Sequence, residues 1–91
     1  MTIKLKGNYE TRQVWLNGEV LSPEPSLKIR NHSPDGFAWG YGGSGPSQLS
    51  LAILLRIFGE KIARENYQDF KFKEIAILPQ TDFEKEITIN F

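Results

Sequence analysis

The chain has no cysteine and only one histidine, His32, among its 91 residues. Without thiols there is neither a disulfide framework nor a thiolate metal site, and a single imidazole does not supply a protein-only zinc centre. No cofactor is therefore expected. An excess of either charge is also missing, since eleven Lys and Arg balance eleven Asp and Glu. With no long run of one sign, the electrostatic footprint of a general nucleic-acid binder is absent. The acidic residues Glu60, Glu65, Asp69, Glu74, Asp82, Glu84 and Glu86 are interleaved with lysines. They show no metal-ligand spacing and read as solvated faces. Long apolar runs are lacking too. The longest, LSLAILLRIF from Leu49 to Phe58, is about ten residues against the ~20 needed to span a bilayer, so no membrane partner is expected. The start, MTIKLKGNYE, has no apolar signal-peptide core, which predicts a cytoplasmic protein.

What is present suits one domain over residues 1–91, burying roughly 60 to 65% of its surface on folding. Ile3 and Leu5 alternate with Lys4 and Lys6 as a strand, and QVWLNGEVL is two β-rich runs joined by the hairpin pair Asn17-Gly18. SPEP from Ser22 to Pro25 is expected to be a loop. The runs LKIRNH and FAWGYG flank Ser33-Pro34-Asp35-Gly36, which predicts a second hairpin. Gly45-Pro46 opens a helix closed by Gly59, and EKIARENYQDF continues as a second helix burying Ile62, Ala63, Tyr67 and Phe70. FKEIAIL reads as a strand stopped by Pro79, and Ile87, Ile89 and Phe91 mark a terminal strand. The fold class is α+β, a mostly antiparallel sheet built from hairpins with two helices packed on it.

Functional interest centres on GYGGSG, residues 40–45. Gly40, Gly42 and Gly45 fit GxGxxG, but the acidic residue expected about twenty positions on would fall within the second helix near Glu65, so a dinucleotide fold is rejected. Gly40, Gly45 and Ser47 fit the frame of GxxxxGK[ST], but Pro46 replaces the lysine that reaches the phosphates, so an NTPase loop is rejected. A strand that enters a glycine-rich bend and leaves it at a helix N-terminus remains. Free N–H groups there attract anions. Within that helix the polar residues other than Arg56 are Ser47, Gln48 and Ser50, so its tip is hydrophilic and its body apolar. Those side chains either satisfy local backbone groups or meet a phosphate-bearing ligand.

In FAWGYG, Phe37, Trp39 and Tyr41 alternate with Ala38, Gly40 and Gly42, giving one bulky and one bare face. The hairpin register would set Arg30 and His32 beside Gly40 and Ala38 on the bare face. There they could receive a phosphate, or the glycines could receive a helix while Arg30 pairs with a carboxylate. The aromatic trio is either core or a stacking platform. Candidate ligand-binding residues are Arg30, His32, Trp39, Tyr41, Gly42, Gly43, Ser44, Gly45, Ser47 and Gln48. Catalysis is not expected. Ser44 resembles a nucleophile elbow, but G-x-S-x-G needs glycine where Pro46 stands, and a His32–Asp35 pair would serve it only if Ser44 folded back onto the hairpin.

The run RNHSPDGFAWGYGGSGPSQLSLAILL, followed by YQDFKFKEIAILP, resembles a small uncharacterised domain family of bacteria, archaea, phages and plasmids, from about Leu27 to Leu78. That resemblance implies no catalytic residues. It implies a habitat among mobile elements, where small non-enzymatic proteins block host defence by binding a protein or sequestering a nucleotide signal. Two functions follow as expectations: a non-catalytic module for a phosphate-bearing ligand, a nucleotide or cyclic nucleotide, or an interaction module docking a protein through the hairpin and glycine loop, with Trp39 or Tyr41 exposed. Pairing into a homodimer would add stability and pocket depth to so small a domain.

Overall fold

In a computed structural model describing residues 1–91, the sheet is built outward from β1 (Thr2–Gly7), which buries Ile3 and Leu5 and leaves Lys4 and Lys6 in water. It pairs antiparallel with β2 (Val14–Leu16) on one side and β4 (Phe83–Thr88) on the other. β3 (Glu19–Val20) pairs with β2, giving a four-stranded antiparallel order β3-β2-β1-β4. Opposite Ile3 stands Ile87, and opposite Lys4 and Lys6 stand Glu86 and Glu84, so one face is apolar and the other carries paired charges. Asn17 and Gly18 link β2 to β3 with φ of 52° and 82°, the left-handed values that a two-residue hairpin turn requires. The terminal strand begins earlier than its spacing predicts and ends at Thr88. Ile89 still donates its N–H to Met1 O at 2.8 Å, whereas Phe91 is exposed.

Two helices cover the apolar face of this α+β fold. α2 (Ser44–Phe58) starts just before Pro46, and Gly59, with φ 87°, closes it by donating to Leu55 O at 3.1 Å. Leu49, Leu51, Ala52, Ile53 and Leu54 are all buried, as an all-round apolar helix demands. α3 (Glu60–Phe70) is amphipathic and buries Ala63, Tyr67 and Phe70. These side chains and the inner face of the sheet form one cluster of 20 buried apolar residues. No helix is long and apolar enough to cross a membrane.

Three expectations fail, each for a physical reason. The SPEP segment is not all loop, because the short helix α1 (Glu24–Ile29) begins inside it. Pro25 stands in its first turn, where a missing N–H breaks no helical bond, and Ser22 Oγ accepts the Glu24 N–H at 3.3 Å. The second hairpin does not form, since Leu27 and Ile29 lie in α1 and residues 30–43 are irregular. Its turn survives alone, with Gly36 donating to Ser33 O at 3.2 Å. Finally, FKEIAIL is not a strand. The helical path continues through a π-helical turn, Lys71–Ile75, in which Ala76 N–H reaches back to Lys71 O at 2.8 Å. Tyr67, Lys71, Ile75 and Leu78 are buried. Their spacing is that of a helix, which explains why the period-two pattern misleads there.

Candidate functional site

The glycine bend is shaped by groups remote in sequence. Gly40 has φ 85°, a conformation that costs other residues strain, and there the chain turns out of the core. Its N–H donates to Ile75 O at 3.0 Å and its carbonyl accepts Gln80 Nε2 at 3.1 Å. The alternation of the aromatic trio therefore holds for Phe37 and Trp39, both buried, and breaks at Tyr41, which is 47% exposed. Trp39 is fully buried, donates Nε1–H to Thr81 O at 2.9 Å and packs edge-on against Phe83. It belongs to the core and offers no face to a ligand. At Gly45 a Cβ would collide with Ala38, so the bare residues serve close packing of the irregular segment on the first turn of α2.

Ser44 at the tip of α2 is exposed, but the polar residues behind it, Ser47, Gln48 and Ser50, are buried. Gln48 is fully buried, and its Oε1 accepts the His32 and Ser33 N–H groups at 2.7 and 3.1 Å. Its Nε2 donates to Ser26 Oγ at 2.9 Å and Arg30 O at 3.1 Å, which exhausts the amide. Ser50 Oγ donates to Pro46 O at 2.8 Å. Both side chains satisfy backbone, and Gln48 positions the loop without being free for a ligand.

Ser47 is different because its partner is charged. Lys71, which belongs to no motif in the sequence, is only 5% exposed, and its Nζ donates to Ser47 Oγ at 3.1 Å and Gly42 O at 3.3 Å. The Phe72 ring centroid lies 4.2 Å from the ammonium. Five ion pairs form elsewhere, yet no carboxylate lies within 4.0 Å of Lys71. The ammonium also sits at the positive end of α2, which no side chain caps. Two like-signed fields thus meet at a buried place with no counter-charge. The ammonium makes two hydrogen bonds and lies over the Phe72 ring, and helix geometry leaves the Ser44 and Gly45 N–H groups without helical partners.

His32 completes the cluster by a route other than strand register. Its Nε2 lies 2.8 Å from Tyr67 Oη, and Tyr67 is one helical turn before Lys71. Burial first, and then the positive charges of Arg30 and Lys71, push the imidazole below its ordinary value of 6.5. His32 is therefore neutral at physiological pH and senses both cations. Its ring partner is Tyr67 rather than Asp35, and no hydrogen bond joins it to the exposed Ser44, so no hydrolytic triad assembles. Gly42 and Gly43 lie between two exposed rings. A Cβ at Gly42 would approach Phe72 Cε1 to 3.1 Å, and one at Gly43 would meet the Tyr41 ring.

A concavity of about 550 Å³ lies on the outer sheet face between Lys4, Lys6, Lys85, Trp15, Glu84 and Glu86, away from the glycine bend. There Lys6 faces Glu84 at 3.8 Å, and Lys85, which also lines the concavity, faces Glu74 at 3.8 Å, so these cations already have carboxylate partners. Among the sites predicted from sequence, the structure gathers Arg30, His32, Gly42, Gly43, Ser44 and Ser47 near one helix end, with Tyr41 at the rim. Gln48 is turned to a supporting role, Gly45 to packing and Trp39 to the core. Lys71 and Tyr67 were legible only as a helical period running on through Ile75 and Leu78. No curated protein and no solved structure matches the chain. A family model does match it over residues 5–90, and the chain belongs to that family of unknown function, DUF6166.

Proposed function

We propose that the protein is a non-catalytic module that binds a phosphate-bearing small molecule, a nucleotide or cyclic nucleotide, at the glycine bend. The observation that carries this function is the buried Lys71 ammonium, unpaired by any carboxylate, beside the uncapped N-terminus of α2. Buried charges are ordinarily paired, and a cation at the positive end of a helix is doubly unfavourable. A phosphate would reverse both costs. Its oxygens would accept an ammonium N–H and the first N–H groups of the helix, with Arg30 as a further cation. The exposed Tyr41 and Phe72 rings flank the same backbone and suit a planar base. The resemblance to a small domain family of bacteria, archaea, phages and plasmids would extend this to a counter-defence role, in which the protein sequesters a nucleotide signal.

The test is a thermal-shift screen against mono-, di- and cyclic nucleotides, ADP-ribose, NAD and pyrophosphate, with wild type and Lys71→Met. A ligand at a hundred times its Kd adds about 2.7 kcal/mol, expected as an upward shift of roughly 10 °C for a domain of this size. The shift should vanish in Lys71→Met, whose own melting temperature stays level or rises. No shift across the panel, or one that Lys71→Met retains, overturns the proposal. A second function, docking of a protein partner, is favoured by the exposure of Tyr41, Phe72 and Ile77 around the bend. It would use Tyr41 and not Trp39, and a Tyr41→Ala, Phe72→Ala double variant would lose that partner.

A further inference from the structure

We infer that the open edge of β4 is a docking site for an extended segment of a partner protein, one carrying Lys or Arg at alternate positions and joining the sheet as a fifth strand. It is a different surface from the glycine bend and does not depend on the phosphate function. The sheet order leaves two edges, β3 and β4. The first is only two residues long, and its Glu19 carboxylate is held by Arg56 at 2.6 Å. The second is six residues long, contains no proline, and pairs with β1 from Thr2–Thr88 to Gly7–Phe83 without a bulge.

The phase of the ladder fixes which main-chain groups are open. Met1 N donates to Ile89 O at 3.0 Å and Ile89 N to Met1 O at 2.8 Å, so these two residues form a doubly bonded pair. In an antiparallel ladder such pairs alternate, so Ile87, Lys85 and Phe83 also turn their main-chain groups toward β1, while Glu84, Glu86 and Thr88 turn theirs away. β1 shows the same phase. Lys4, opposite Glu86, spends its N–H and its carbonyl on Asn17, on the far side from β4. The N–H and C=O groups of Glu84, Glu86 and Thr88 thus line a continuous edge, and all these residues are exposed.

Charge decides what suits that edge. Glu84 and Glu86 stand on its outer face, and Asp69 and Glu74 border it from the helical side. Against them are Lys73 and Lys85, the latter already facing Glu74 at 3.8 Å, and Glu86 has no cation within 4.0 Å. The strand already paired with β4 shows the match, since Lys6 and Lys4 stand opposite Glu84 and Glu86. Lysines at alternate positions on the open side would repeat it and set each glutamate between two cations. A second copy of β4 suits the edge less, because antiparallel registers centred on Glu84, Lys85 or Glu86 place like charges directly opposite.

The experiment is amide hydrogen exchange and titration, followed by NMR on the intact chain, with two acetylated and amidated peptides, TIKLKG, which copies residues 2–7, and TIELEG. In the free chain the Glu84, Glu86 and Thr88 amides should exchange fast while those of Lys85, Ile87 and Ile89 are protected. TIKLKG should slow the first group by roughly tenfold, bind roughly tenfold tighter than TIELEG, and lose that advantage in about 0.5 M salt. No added protection, or equal binding of the two peptides, overturns the inference and leaves the phosphate site untouched. Protection that appears without peptide and grows with protein concentration overturns it as well, by giving the edge to a second copy. Glu86→Pro removes an outward N–H and no bond to β1, so the fold should persist while TIKLKG binding is lost, and retained binding counts against the edge. Glu84→Lys combined with Glu86→Lys keeps every main-chain group and should reverse the preference to TIELEG. A preference that stays with TIKLKG overturns the inference even where the proline variant does not fold.

Discussion

The chain reverses at Asn17-Gly18 and again at the glycine bend of residues 40–45, and the two turns are held by different means. At the hairpin the left-handed φ values of Asn17 and Gly18 lie within the turn, and Trp15 and Leu16 meet Val20 and Glu19 immediately across it. The neighbouring strand adds a two-bond clasp, Asn17 Oδ1 accepting the Lys4 N–H at 2.9 Å and Asn17 N–H donating to Lys4 O at 2.8 Å. At the bend, the φ of Gly40, the Ser47 N–H to Gly43 O bond at 3.1 Å and the packing of Gly45 on Ala38 are local. Its remaining constraints come from Ile75, Gln80 and Lys71, about thirty to forty positions away in sequence. A turn held by its own residues needs no unusual charge environment. A turn held by tertiary contacts against a helix end can gather a buried cation and free N–H groups at one place, and that is where this molecule holds a buried ammonium with no carboxylate partner.

The sharpest way to break that contrast is Gln48→Leu. It strands the Arg30 carbonyl, the His32 and Ser33 N–H groups and the Ser26 hydroxyl, and should cost about 3 to 5 kcal/mol by denaturant unfolding. A loss under about 1 kcal/mol would mean that the loop holds itself. Next comes Gly45→Val, which forces a side chain into Ala38 and should cost about 2 to 3 kcal/mol, seen as a lower urea midpoint. Gly18→Ala is a smaller change. Nothing lies within 4 Å of its missing Cβ, so only the left-handed backbone is penalised, by about 1 kcal/mol. Hydrogen exchange should then loosen at the hairpin while the bend keeps its protection.

The smallest effect sharpens the comparison through pH. The folded-state pKa of His32 is lowered, so the unfolded chain binds its proton more readily. The stability this contributes is fully present above the unfolded value near 6.5 and is lost as pH falls through the lower folded value. Denaturant melts from pH 8 down to 5 should show that decline, and His32→Gln should remove the component. A wild-type curve that keeps the same slope in His32→Gln would take the imidazole out of the acid response.

Much of the fold was legible because its signals are short-ranged. Alternation in β1, the Asn17-Gly18 turn, the all-apolar body of α2 and Gly59 at its end each act within a few residues. The failures share a cause. Residues 27–29 and 37–41 carry β-type alternation, but Pro25 fits a helix's first turn and Gly40 turns Tyr41 away from the core, so neither run reaches the sheet. Of the candidate site, the glycines, Ser47, Arg30 and His32 stood out by type. Gln48 stood out too, but its role is to hold the loop.

By itself the sequence determined an α+β chain with a hairpin near its start, two helices joined at Gly59, and a polar, glycine-entered tip on the more buried helix. Tertiary structure alone decided that Ser47, Gln48 and Ser50 at this tip are buried, that Gln48 is spent on the loop, and that Lys71 arrives beside Ser47 from 24 residues away. The physical reason is range. Backbone preference and apolar period act over a turn or two of chain, whereas the cost of a buried, unpaired charge depends on everything packed around it.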